Sequence, residues 1–226
     1  ARRIDLKLWF GCNNRCIFCA QGDKRSAVES LRTADLRARL KEGRDIASSV
    51  VFTGGEPTIH PDFLELVEYA QSIGYRSIQI QTNGRMFARP DFCEKAIHAG
   101  ANDFSLALHG ATQAQHESQT KAHGSFKQTV QGILNLCRYK QSVSTNTVIT
   151  RYNYLNMAEI ARLLARLGVR QSQLAMVHPC GSVKNNFKHV VPRFVRVEQP
   201  VHRALDILDS AGIWAMTEAI PFCFMR

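Results

Sequence analysis

An α/β fold of parallel strands with outer helices is predicted from three observations. Apolar, β-branched runs recur six times along the chain, helical stripes lie between them, and Gly, Asn or polar turns bound each run. A sheet built by such alternation is parallel, and is either doubly wound or curled into a barrel.

The strands are expected at Ile4–Trp9, Val50–Phe52, Ser77–Thr82, Asp103–Leu108, Val143–Ile149 and Ser172–Val177. Between the second and third, Phe63, Leu66, Val67 and Ala70 form a helical stripe that Gly74 stops. Cys93 falls in a further helical pattern and reads as a core residue. Phe126, Val130, Ile133, Leu134 and Cys137 make the clearest stripe, opened by Ser125 with Gln128 three residues on as a capping box. Met157, Ile160, Ala161 and Leu164 make another, stopped by Gly168. A last helix at Val201–Leu208 leads to a seventh candidate strand at Ile213–Met216. Residues 1–216 therefore read as the core, and 217–226 as the start of a C-terminal extension. No helix follows, and the chain begins at Ala1 rather than Met, so it reads as part of something longer.

The 226 residues are 45% apolar and 21% charged, the balance of a globular chain, and no window nears the ~18 uninterrupted apolar residues of a membrane span. No charged-then-apolar leader is visible. Seven cysteines, three of them within eight positions, suit a reducing compartment and metal binding better than a disulfide framework, so the cytoplasm is expected. A net charge of +10 favours anionic partners. The basic residues are spread, with loose concentrations at Lys24 to Arg44 and Lys184 to Arg196, and read mainly as a solvated surface.

Cys12-Asn-Asn-Arg-Cys16-Ile-Phe-Cys19 follows the first strand directly. The spacing also fits three small buried residues on one helix face, but Gly11, Asn13 and Asn14 are poor helix formers and favour a loop. Three neighbouring thiolates select soft metals, which leaves zinc and iron–sulfur. A closed zinc site needs four ligands, and no fourth Cys or His lies nearby. A 4Fe-4S cluster held by three cysteines leaves one iron open for a further ligand.

With this spacing the sequence resembles the radical S-adenosylmethionine (radical SAM) superfamily, and the resemblance covers about the whole chain. It implies a partial (β/α)6 TIM-like barrel, C-terminally incomplete, in which Cys12, Cys16 and Cys19 hold a 4Fe-4S cluster and S-adenosylmethionine binds beside it. Phe18 occupies the aromatic position next to the adenine. Thr53-Gly54-Gly55-Glu56-Pro57 matches the family's Gly-Gly-Glu-Pro motif, whose backbone accepts hydrogen bonds from the methionyl ammonium. Thr82, Asn83 and Ser105 fall where relatives bind ribose or carboxylate, and Lys121 falls where many place an arginine near the carboxylate. Asn146, Met176 and Val177 fall where relatives contact the adenosine. All these motifs sit at the C-terminal ends of strands, where barrels do their chemistry.

The same resemblance implies the reaction. A reductant such as flavodoxin or ferredoxin supplies an electron, the cofactor is cleaved to methionine and a 5'-deoxyadenosyl radical, and the radical takes hydrogen from a peptide or small-molecule substrate. His109 and His178 are expected at the barrel mouth, each to orient that substrate or carry a proton. The basic run Lys184–Arg196 would bring an anionic group of it to the same opening. Cys180 and Cys223 can meet at the mouth, where an auxiliary cluster would need further ligands. Gly-Gly-Glu-Pro followed by His60-Pro-Asp is nearest the branch of molybdenum-cofactor and peptide-maturing enzymes. The rival readings are a zinc-stabilised nucleic-acid-binding module, and a family member acting on a nucleotide or RNA; a membrane partner is not expected.

Overall fold

Seven parallel strands pair in the order in which the chain makes them. The computed structural model describes residues 2–24 and 31–225; Arg25, in the first basic concentration, lies outside them. The strands are β1 (Arg3–Lys7), β2 (Ser49–Thr53), β3 (Ser77–Thr82), β4 (Asp103–Ala107), β5 (Ser142–Ile149), β6 (Gln171–Met176) and β7 (Trp214–Glu218). Every neighbouring pair is parallel. Crossovers of one hand between sequential neighbours put the helices on one face, and the sheet curls about the other as a partial barrel. Among the described residues β1 and β7 are its two edges.

The helices are α1 (Thr33–Ile46), α2 (Phe63–Ser72), α3 (Pro90–His98), α4 (Gln113–Thr120), α5 (Ser125–Arg138), α6 (Met157–Leu167), α7 (Phe187–Val190) and α8 (Phe194–Ser210). The two-residue period of each strand sends its apolar set to the helix side. Leu6, Val50, Phe52, Ile78, Ile80, Phe104 and Leu106 are buried there against Leu36 and Leu40 of α1, Phe63 and Leu66 of α2, Ile133 and Leu136 of α5, and Ile160 and Leu164 of α6. The concave face is polar instead. Gln81, Ser105, Ser144 and Gln171 stand in one register row across four strands, and Thr53 Oγ1 donates to Gln81 Oε1 at 3.0 Å. A closed barrel fills this space with apolar layers; here the upper part is left as a polar basin.

Three expectations change. The seventh strand is part of the sheet and runs to Glu218, two residues past the expected Met216, with Leu174 opposite Thr217 and Ala175 opposite Glu218. α8 begins at Phe194 and runs through Pro200, because Val197 and Val201 on either side of the proline are both fully buried and hold the helix across it. The capping box at Ser125 does not form: Gly124, in the left-handed region at φ 77°, is the N-cap. Ser125 Oγ instead meets Thr120 Oγ1 at 2.8 Å, and Gln128 Oε1 accepts from Arg85 Nε at 2.6 Å.

Candidate active site

The loop between β1 and α1 carries the three cysteines, and it is tied down from four directions. Gly55 N–H donates to Trp9 O and Glu56 N–H to Gly11 O, both at 2.8 Å, which fixes the loop's start to the end of β2. Arg15 N–H donates to Thr120 O and Ile17 N–H to Gln119 O, which hangs its middle from the C-terminus of α4. Ser182 N–H donates to Cys19 O at 2.9 Å from the segment after β6. Arg85, after β3, reaches Asn13 O at 2.5 Å and Asn14 Oδ1 at 3.0 Å through Nη1, and Asn83 Nδ2 donates to Asn13 Oδ1.

Gly54 and Gly55 make this possible. A Cβ on Gly54 would lie 2.3 Å from Trp9 O, and one on Gly55 would lie 2.1 Å from Gly11 O. Gly54 also has φ 133°, a conformation few side chains tolerate. The motif's glycines therefore serve the contact between the first two strand ends. That is a packing reason which the sequence does not state.

A cavity of about 240 Å³ opens at the C-terminal ends of β2 to β5. Cys12, Cys16, Cys19, Phe18, Gly54, Gly55, Glu56, Thr82, Asn83, Ser105, His109 and Asn146 all line it, together with Gln21, Thr53 and Gln81. Pro57, Lys121, Met176, Val177 and His178 do not. Pro57 opens a buried 3-10 turn just behind the motif. Lys121 is an exposed residue at φ 52°, the C-cap of α4, whose backbone N–H bonds Glu117 O. Met176 faces the helix side and packs in the main core. Val177 joins Phe18, Val183 and Val190 in a small apolar cluster behind the cysteine loop. His178 is half-exposed and pairs with Glu218 at 3.4 Å on the edge strand. Cys180 lies in the segment that touches Cys19, whereas Cys223 lies in an exposed turn whose Phe224 stacks on Phe194 of α8.

Thr82 and Asn83 are committed within the protein. Thr82 Oγ1 donates to Glu56 Oε1 at 2.7 Å, and Asn83 N–H donates to Glu56 Oε2 at 2.7 Å. Thr58 gives the same carboxylate its N–H and its hydroxyl. Glu56 is 1% exposed; burial pushes its carboxyl up, and these donors act against that shift. It is a tie between the ends of β2 and β3 more than a free ligand.

Two buried acceptors in the cavity, Asn146 Oδ1 and Gln21 Oε1, have no hydrogen-bond partner among the described residues. A buried polar atom left unpaired is costly, so each is poised for a donor on a bound molecule. Gln21 and Arg85 were not foreseen: neither stands in a recognisable motif, and only the loop's fold brings them in. Three thiols on the wall, two waiting acceptors and a carboxamide-rich floor fit a thiolate-held cluster with a polar organic cofactor beside it. Among the described residues no three His, Cys, Asp or Glu side chains are already closed around one point.

His109 is 4% exposed, and its ring meets Phe18 edge-on at 4.6 Å and stacks with His116 at 5.8 Å. Its Nδ1 accepts from Val148 N–H at 3.2 Å, so the neutral ring carries its proton on Nε2. His116 Nδ1 likewise accepts from His109 N–H. Burial holds His109 well below the usual histidine range and His116 at about 4. His109 is thus a fixed N–H donor near neutral pH and carries no proton across it. Both rings stay neutral when folded and protonate when unfolded, so the unfolded chain binds more protons below about pH 6.5 and stability falls there. Between pH 7 and 5.5 the pair is expected to cost about 2–3 kcal/mol, read as a lower urea midpoint. His109→Gln and His116→Gln should each flatten that profile; an unchanged slope in both would reject the assignment.

The family model described as Radical SAM superfamily matches residues 6–167. The chain is 31% identical over 188 residues to a "Probable GTP 3',8-cyclase" of Saccharolobus islandicus, covering 82% of this chain and 60% of that protein. It is 28% identical over 183 residues to an "AdoMet-dependent heme synthase" of Methanosarcina barkeri, covering 80% and 52%. The chain therefore spans somewhat over half the length of these curated relatives. Among solved structures, Streptococcus suis SuiB bound to precursor peptide SuiA matches at a TM-score of 0.79 and 15% identity, over 96% of this chain and 48% of that one. Native anSMEcpe with bound AdoMet and Kp18Cys peptide matches at 0.76 and 17%, over 95% and 64%. These likenesses show a shared fold. No described helix is long and apolar enough to cross a membrane.

Proposed function

The chain belongs to the radical SAM superfamily, and on that premise we propose that its cavity holds a 4Fe-4S cluster on Cys12, Cys16 and Cys19 with S-adenosylmethionine alongside, and acts on a small-metabolite substrate. The family uses this pair of cofactors. One-electron cleavage of S-adenosylmethionine, giving methionine and a hydrogen-abstracting radical, is the chemistry they supply when bound. The observation that carries the reading is the meeting of all three cysteines with the Gly-Gly-Glu motif and Asn146 around one cavity. A small metabolite is preferred to a peptide because the two curated relatives described above, both over 25% identical, carry small-molecule names, whereas the peptide-bound neighbours share only the fold.

The chain's own residues then have distinct tasks. Phe18, Val177, Val183 and Val190 keep water from the back of the cysteine loop. Asn146 Oδ1 and Gln21 Oε1 accept from the cofactor's donors, and His109 Nε2–H donates at the same wall. Ser105, Gln81 and Thr53 line the basin as hydrogen-bonding partners for cofactor or substrate. The electron comes from an external donor of the flavodoxin or ferredoxin class.

Anaerobically purified protein is expected to be brown, with about four iron and four sulfide per chain, and to form 5'-deoxyadenosine and methionine once reduced. Colourless protein with a single zinc would instead support the nucleic-acid-binding alternative. Asn146→Ala should weaken S-adenosylmethionine binding about three- to tenfold, one net hydrogen bond, by calorimetry on cluster-loaded protein. Unchanged affinity would remove Asn146 from the contact.

A further inference from the structure

We propose that Arg151, Arg193 and Arg196 form a second binding site, for the phosphate or carboxylate group of a small anion, on the rim of the sheet and apart from the cofactor cavity. Together with Tyr154 and Pro192 they line a cavity of about 170 Å³ that shares no residue with the first. Arg151 lies two residues beyond β5, so the site opens on the same C-terminal face as the cysteine loop. Of the basic run Lys184–Arg196, Lys184 is taken up by Asp23 at 3.7 Å, whereas Arg193 and Arg196 converge on Arg151 from another element.

The electrostatics are unfavourable without an anion. No carboxylate lines this cavity, and among the described residues none of the three guanidinium groups is in an ion pair. Arg193 is the N-cap of α8, a 17-residue helix, and its side chain makes no capping hydrogen bond; no acidic residue stands in the first turn. A helix start ordinarily takes Ser, Thr, Asp or Asn at the cap and acids just after it. Here three like charges gather at the positive end of a helix dipole, a conflict of the kind that marks ligand sites. Arg151 is also held in place: its N–H donates to Val190 O at 2.8 Å and its Nη1 to Lys188 O at 3.0 Å. An oxyanion entering the cavity would meet the anchored guanidinium of Arg151, the exposed guanidinium groups of Arg193 and Arg196 and the positive end of α8.

This site stands independently of the radical reading, so binding tests it without turnover. The 226-residue chain is titrated calorimetrically with inorganic phosphate, tripolyphosphate and citrate at low ionic strength. Saturable binding is expected, weakened at least tenfold in an R193Q/R196Q variant. A control that removes two exposed arginines elsewhere, R138Q/R203Q, should stay within twofold. Response to the phosphates alone assigns a phosphate site, and to citrate alone a carboxylate site; either supports the proposal. No saturable binding of any probe, or equal loss in the control, overturns it. If the double variant melts below the parent, R196Q alone serves as the test, with a loss of at least threefold expected and an unchanged affinity overturning the proposal.

Discussion

Replacing Cys12, Cys16 and Cys19 together with alanine is expected to remove the bound iron and abolish all cleavage of S-adenosylmethionine. The three thiols line one cavity, and the four remaining cysteines offer no substitute. Cys93 is buried with its thiol pushed up to about 12 and donates to Phe87 O, so it supplies no thiolate near neutral pH. Burial also raises the Cys137 thiol. Cys180 and Cys223 sit in separate segments after β6 and β7. Iron content, the visible absorption of the reconstituted protein and 5'-deoxyadenosine formation should fall to background together. The fold should persist, because the loop's backbone ties to Thr53–Glu56, α4 and Ser182 do not involve the thiols. An iron–sulfur spectrum that survives the triple substitution would end the cluster assignment.

Glu56→Ala is expected to lower stability by about 3–5 kcal/mol, among the largest single-residue effects in the chain. Four donors converge on that carboxylate: Thr58 N–H at 3.1 Å, Thr58 Oγ1 at 2.5 Å, Thr82 Oγ1 at 2.7 Å and Asn83 N–H at 2.7 Å. Alanine strands all of them in a site with almost no access to water. Glu56→Gln keeps the shape and one acceptor but turns an amide N–H₂ toward a donor, so an intermediate loss is expected. Urea unfolding at constant m-value measures both. A loss under 1 kcal/mol for Glu56→Ala would show that water or relaxation replaces the carboxylate.

Strand positions were readable from sequence because apolar runs of β-branched residues leave few other readings, and the helices with clear apolar stripes followed. α4 was not readable: its buried residues are His116, Gln119 and Thr120, so it carries no hydrophobic period to detect. Those polar side chains are buried for a local reason. Gln119 Nε2 donates to His109 O and its Oε1 accepts from Thr150 Oγ1, which welds α4 to the ends of β4 and β5. Local chemistry misled at Ser125, where the capping pattern was present but Gln128 was claimed by Arg85, 43 residues earlier in the chain. The cysteines, Gly54 to Glu56, His109 and Asn146 were legible through their motif spacing and their places at strand ends. Gln21, Arg85 and Arg151 were not, and the run Lys184–Arg196 gave no sign that its Arg193 and Arg196 would meet Arg151, since each depends on segments that meet only after folding.

The bond from Ser182 N–H to Cys19 O, with Gly181 pressed so close that a Cβ would lie 2.3 Å from the same oxygen, sets a clock on biosynthesis. The cysteines leave the ribosome first, and this strut follows about 160 residues later, roughly ten to thirty seconds at ordinary elongation rates. A translation product that ends before Ser182 cannot complete the bracing of the cysteine loop, however well its early strands have formed. A nascent chain stalled in β6 or before it leaves the cysteine loop without its far brace.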